Sequence, residues 1–163
     1  MNKQILKSTL IAAAGLLFAN SAMAATDTDT FLVTATVANS CLVSATDLNF
    51  GAYDPAAVKD GTSTITVTCT AQTPYTIGLD AGQHFATTRA MIGDDTATTL
   101  LKYELYTELG HGTIWGELLS GTTVANSSLA GGALDYTVYG QIPASQYVPA
   151  ANYADTINVT VDY

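Results

Sequence analysis

Threonine and an apolar residue take turns along Thr64-Ile65-Thr66-Val67-Thr68-Cys69-Thr70. Side chains of an extended chain point alternately to opposite faces, so Ile65, Val67 and Cys69 share one face and four threonines the other. Threonine is β-branched and polar, which suits the wet face of a sheet and not a helix interior. The same pattern recurs over Tyr75–Leu79, Leu101–Leu105 and Leu134–Ile142, and the chain ends on it with Thr156-Ile157-Asn158-Val159-Thr160-Val161-Asp162-Tyr163. Turn signals stand between the runs at Tyr53-Asp54-Pro55, Lys59-Asp60-Gly61, Ile92-Gly93-Asp94-Asp95, Gly110-His111-Gly112 and Ala130-Gly131-Gly132. Past the first 24 residues, no stretch sustains an i, i+3, i+4, i+7 apolar pattern over three turns. Many short strands with frequent turns predict an all-β sandwich, with neither an internal repeat nor an interdomain linker.

Residues 1–24 read as a secretory signal peptide. Lys3 and Lys7 form a positive start, Leu10–Ala19 a short apolar run, and Ala22-Met23-Ala24 a cleavage site. The apolar run is too short to span a bilayer core of roughly 30 Å. No cysteine stands at the cleavage point to suggest a lipid anchor. The expected mature chain is Ala25–Tyr163, exported. Removing the signal takes two lysines and no acid, so Lys59, Arg89 and Lys102 face all 14 acids, three against fourteen, a net charge of −11. Three scattered cations cannot neutralise a run of phosphates or hold an anionic membrane surface, which excludes nucleic acid as a partner. Composition is nonetheless that of a globular chain, 48% hydrophobic and 12% charged.

Two cysteines, Cys41 and Cys69, lie in the mature chain. An even count behind a signal peptide points to one disulfide in an oxidising compartment. Closing that loop is worth about 3.6 kcal/mol in the chain-entropy account. No zinc spacing and no C-x-x-C redox motif is present.

The two ends carry the unusual information. Phe31, Val33, Ala35 and Val37 alternate with Leu32, Thr34 and Thr36, and only Ala38-Asn39-Ser40 separates this run from Cys41. Ile157, Val159, Val161 and Tyr163 alternate up to the last residue, with no polar tail. Either an earlier strand covers this last strand or its edge is open, and an open apolar edge is a hazard that proteins normally cover. A strand borrowed from another chain is one cover, and Phe31–Val37 could be such a loan. The pattern alone favours the plainer reading, that Phe31–Val37 is the first strand of its own sheet.

The order Ala38-Asn39-Ser40-Cys41-x-Val43, Leu48-Asn49-Phe50-Gly51-x-Tyr53-Asp54, Ile65-x-Val67-Thr68-Cys69-Thr70 and Tyr75-x-Ile77-x-Leu79 resembles the spore coat protein U domain family. Later segments agree: Arg89-x-Met91, Leu101-x-Tyr103-x-Leu105-Tyr106, Trp115-Gly116, Tyr136-x-Val138-Tyr139-Gly140-x-Ile142-Pro143 and the ending from Tyr153 to Tyr163. The resemblance implies a subunit of an archaic (Csu-type) chaperone–usher pilus, or a spore coat protein. It further implies an immunoglobulin-like sandwich that lacks its last strand. A periplasmic chaperone first lends a strand; at an outer-membrane usher, the next subunit's N-terminal segment replaces it. On this resemblance, residues 25–37 form the donor segment, with Phe31, Val33, Ala35 and Val37 entering a neighbour's groove, and residues 38–163 form the sandwich. Ile157, Val159, Val161 and Tyr163 line or border the acceptor groove. The expected partners are identical or related subunits, the chaperone and the usher, and the fibre ends at the cell surface, supporting adhesion and biofilm formation.

Signatures of chemistry are few. G-x-S-x-G, H-E-x-x-H, a phosphate-binding glycine loop and an EF-hand pattern are all missing, so neither an enzyme nor a cofactor is expected. His84 and His111 read as solvent-exposed loop residues, Asp94-Asp95 as a solvated turn, and Glu104 with Glu108 as an undecided pair. Trp115 could be a sugar-stacking platform on a self-contained binding sandwich, but the family pattern favours packing. Gly110–Gly132 reads as a surface loop, and Tyr75, Tyr103 and Tyr136 as core.

Overall fold

The computed structural model describes residues 24–85, 87–94, 99–118, 123–128 and 131–163. The signal segment before residue 24 and Asp95 of the expected turn fall outside them. The chain divides into two units, residues 1–35 and 36–163. In the first, residues 24–35 form neither strand nor helix, and Phe31, Leu32 and Val33 are 87%, 87% and 78% exposed. The alternation there is therefore not a strand of this chain's own sheets.

Among its described residues the second unit holds nine strands: β1 (Cys41–Ala45), β2 (Lys59–Cys69), β3 (Thr73–Leu79), β4 (Arg89–Gly93), β5 (Leu100–Tyr106), β6 (Val124–Ser128), β7 (Gly132–Ile142), β8 (Tyr153–Ala154) and β9 (Val159–Asp162). They form a six-stranded sheet in the order β1-β2-β7-β5-β4-β8 and a three-stranded sheet β6-β3-β9, antiparallel throughout. Among the described residues there is no helix.

Alternation sets the faces as expected. Ile65, Val67 and Cys69 are buried, and their threonine neighbours are not. The core also takes Tyr75, Ile77 and Leu79 from β3, Leu101, Tyr103 and Leu105 from β5, and Val138 and Ile142 from β7. Cys41 and Cys69 face each other in the β1–β2 register and are joined as a disulfide.

Three expected turns read differently in space. Lys59-Asp60-Gly61 opens β2, pairing with Ile142, Gln141 and Gly140, and Gly132 opens β7. The facing pair Gly61 and Gly140 explains the first case. A Cβ on either would stand 2.7–3.0 Å from Leu48 and Phe50, so the glycines clear a hollow in the sheet where those two side chains lie. Ile92-Gly93 belongs to β4, with the bend only at Asp94. The terminal run is likewise shorter than its alternation: Thr156, Ile157 and Asn158 are outside any strand, and β9 begins at Val159. Gly110–Gly132 is not all surface loop, since it contains β6 and the buried Trp115.

Candidate functional site: an open cleft between the sheets

One flank of the sandwich is stitched shut. The Trp115 N–H donates to the Leu105 carbonyl (2.9 Å), the Leu79 N–H to the Gly116 carbonyl (3.0 Å), and Trp115 Nε1 to the Ile77 carbonyl (3.0 Å). Trp115-Gly116 thereby ties β5 of the large sheet to β3 of the small one. At 1% exposure, Trp115 is a packing residue and offers no face for a sugar. Arg89, 3% exposed, fastens the same corner. It forms an ion pair with Glu104 and donates to the carbonyls of Leu79 (3.1 Å), Asp80 (2.8 Å) and Trp115 (2.8 Å).

The opposite flank is open. Among the described residues β1 pairs only with β2, and β9 only with β3, so each presents a free backbone edge. They come near one another without pairing. Between the stretch that follows β1 and the stretch that leads into β9 lies a cleft of about 1120 Å³. Its floor is the core itself, with Ile65, Leu79, Leu105 and Val138 reaching it. Leu48, Phe50, Tyr53, Val148, Ile157 and Val159 line its sides. These six are half-buried side chains packed against the core. Apolar surface left half-wet in this way is favourable to cover.

The sides are fixed by polar side chains. The Tyr53 hydroxyl donates to the Pro143 carbonyl (2.7 Å) and accepts from the Gln146 N–H (3.2 Å). Gln146 in turn exchanges 2.8 Å hydrogen bonds with both backbone groups of Lys102, just past the point where the β5–β7 ladder stops at Glu104. Also in the lining, the Asp155 side chain is only 2% exposed. It accepts from the Tyr103 hydroxyl (2.7 Å) and from the N–H groups of Gln83 and Thr156 (2.9 Å each). Burial and then the bond to Asp155 hold the Tyr103 phenol far above its ordinary range. Burial raises Tyr75 as well, assisted by its 2.6 Å hydrogen bond to Tyr136. Hydrogen bonds from Asn152 hold the Asp94 carboxyl below its usual value.

Of the groove residues expected from sequence, Ile157 and Val159 line the cleft. Val161 packs against the core beyond the cleft lining, and Tyr163 is 56% exposed past the end of β9. Phe31, Val33, Ala35 and Val37 are all exposed. Leu48, Phe50, Tyr53 and Val148 were not anticipated as lining. Leu48, Phe50 and Tyr53 stand in the family pattern, but no long periodic run contains any of the four, and apolar character beside turn residues does not place them at a cleft.

Little here resembles a catalytic centre. His84 and His111 are half-buried, not solvent-exposed as expected. His84 Nδ1 lies 3.8 Å from Asp155 Oδ1; His111 packs edge-on against Tyr106 and lies 3.1 Å from Gln141 Nε2. Glu104 is committed to Arg89 and the Leu105 N–H, while Glu108 accepts from Thr113 on the surface, so the two serve separate sites. Among the described residues no group of three or more His, Cys, Asp or Glu side chains is placed to hold a metal ion.

Comparison with known proteins accords with this geometry. A crystal structure of the CsuC–CsuE chaperone–tip adhesion subunit pre-assembly complex, from archaic chaperone–usher Csu pili of Acinetobacter baumannii, contains a similar chain. The two share 25% identity and a TM-score of 0.60 over 78% of this chain, which spans 41% of that one. The sandwich is accordingly immunoglobulin-like. Protein U of Myxococcus xanthus is 32% identical over 173 residues, covering 96% of both chains. The Spore Coat Protein U domain matches residues 27–160, and this chain belongs to that family.

Proposed function

We propose that this protein is a structural subunit of a surface pilus, polymerised by donor-strand exchange along the chaperone–usher route. One observation carries the reading: a cleft floored by the apolar core lies open beside the unpaired edge of β9, while an alternating apolar segment ahead of Cys41 joins no sheet. In the polymer, residues 25–37 of one copy enter the cleft of the next. Phe31, Val33, Ala35 and Val37 turn toward Ile157 and Val159, and the donor backbone pairs along β9 toward Val161 and Tyr163. Burying a Phe and two Val is worth roughly 1.5–3 kcal/mol each before ordering costs.

Before assembly, a periplasmic chaperone fills the cleft with a strand of its own, and the exchange takes place at an outer-membrane usher. Export, a periplasmic stage and arrival at the cell surface follow from this route, as does a role in adhesion and biofilm formation. The subunit is not an enzyme and needs no cofactor. Its partners are identical or related subunits, the chaperone and the usher.

Deleting residues 25–37 tests the assignment. The shortened chain should still be captured by the chaperone and should form no polymer. Polymer of normal yield would remove the donor segment from the account. The family's description favours one related reading, a spore coat component with the same fold. Chaperone and usher genes beside this one are expected for the pilus and not for the coat.

A further inference from the structure

The stretch that crosses from the large sheet to the small one is held by the same hydrogen-bonding device used twice. The Asp80 N–H donates to the Asn158 carbonyl (3.1 Å), the Asn158 N–H donates back to Asp80 Oδ1 (3.0 Å), and Asn158 Nδ2 donates to Asp80 Oδ2 (2.6 Å). Asp94 and Asn152 repeat it with the Asp94 N–H on the Asn152 carbonyl (3.0 Å), the Asn152 N–H on Oδ1 (2.9 Å) and Nδ2 on Oδ2 (2.8 Å). The placement is also repeated. Asp80 follows Leu79, which pairs with Val159, and Asp94 follows Gly93, which pairs with Tyr153. Each Asp–Asn clamp thus sits one register step beyond the last pair of its ladder, at the entry to β9 and to β8.

Between the clamps, the chain after the two-residue β8 has no ladder of its own. Residues 155–158 belong to no strand, yet Ile157 and Val159 line the cleft. An unfilled apolar cleft is under pressure to close, because folding Ile157 and Val159 onto the core would take more apolar surface from water. A closed cleft would admit a strand only through its rare open form, with affinity reduced by that fraction. The Asp80–Asn158 clamp opposes closure at the β9 end of the crossing, the Asp94–Asn152 clamp extends the β8 ladder that precedes it, and Asp155 on Tyr103 holds its start, all without occupying the space between.

We infer that the Asp80–Asn158 clamp, seconded by Asp94–Asn152, is a positioning device that keeps the unfilled cleft open and the edge of β9 in register for an incoming strand. This inference rests on the donor-strand reading above. Asp80 and Asn158 touch the crossing and not the guest, so they act on strand uptake through β9.

The test uses the mature chain carrying Phe31→Asp, which accepts without donating, and a fluorescent synthetic peptide of residues 25–40 as probe. Asn158→Asp sets two carboxylates against each other. It should slow peptide uptake at least tenfold while moving the melting midpoint of the unfilled chain by only a few degrees. The exchanged pair, Asp80→Asn with Asn158→Asp, restores one carboxylate facing one amide and should return uptake to within about threefold of the parent. Unslowed uptake in Asn158→Asp, or slow uptake that the exchanged pair fails to rescue, would overturn the inference and leave the donor-strand reading standing. Failure of the parent to take up the peptide would instead bring down the donor-strand reading, and the inference with it. Should Asn158→Asp not fold, Asn158→Ser, which loses only the Nδ2 donor, takes its place with the same expected direction.

Discussion

Arg89 and Glu104 are the residues on which the closed flank depends. Both are buried, and the guanidinium also serves the carbonyls at the end of β3 and at Trp115. Breaking a buried pair by removing one partner leaves an uncompensated charge, at a cost of about 3–5 kcal/mol. Arg89→Met should lower unfolding stability by that amount in urea titration of the mature chain, and a loss under 1 kcal/mol would contradict the network. Tyr103 supplies a second test at this scale. Its folded-state pKa lies above the unfolded value near 10, so its contribution is complete below about pH 10. As pH rises further, the unfolded chain sheds the proton while the folded one keeps it, and stability falls. Urea midpoints measured between pH 9 and 11 should decline, and less steeply in Tyr103→Phe. Arg89 stood in the family pattern, yet nothing in its neighbours announced an ion pair with Glu104 fifteen positions away. The same holds for the Asp–Asn clamps, which join residues 78 and 58 positions apart. Alternation reports which face a side chain takes, not which distant partner meets it there.

At the level of elements, what was legible is the buried face of the alternating strands β2, β3, β5 and β7, and what was not is where strands begin and end. The Thr–Ile–Thr–Val run of β2 shows its buried side directly, because threonine and the aliphatics differ so clearly in polarity. Its first residues look like a turn because Gly61 is needed for the hollow that receives Leu48 and Phe50, a requirement visible only once Gly140 is seen opposite. The ending shows the reverse error. Ile157 alternates with Val159 and Val161, but the chain there is crossing between sheets. Alternation fixes the direction of side chains and cannot distinguish a paired strand from an extended link. Phe31–Val37 is the same case, an alternating apolar run with no ladder. The short β9 makes a prediction of its own. Deleting the last four residues removes most of β9 and exposes the edge of β3, so the truncated chain should escape chaperone capture and be degraded in the periplasm. Normal accumulation and assembly on an immunoblot of cell fractions would remove β9 from the acceptor edge.

For the whole molecule, the two flanks explain each other. Trp115-Gly116 and Arg89 make one side rigid, and the disulfide fastens β1 to β2 directly after the N-terminal segment. The remaining side keeps its core within reach of solvent along a cleft of about 1120 Å³. On the proposed function, such a sandwich holds its shape while its cleft awaits a strand, and folding would be coupled to assembly. Few charges of opposite sign are available to bind subunits, since three cations stand against fourteen acids in the chain after residue 24. In the proposed polymer, cohesion would then come from apolar burial and backbone pairing, and should resist salt and detergent. Size-exclusion chromatography with non-boiled gel analysis of the mature chain, beside Phe31→Asp, tests this most directly. A charged side chain in an apolar cleft is strongly unfavourable. The parent should give a ladder of detergent-resistant oligomers that the variant loses or weakens; sharp, stable monomers of the parent would mean that the sandwich completes itself, contrary to the account.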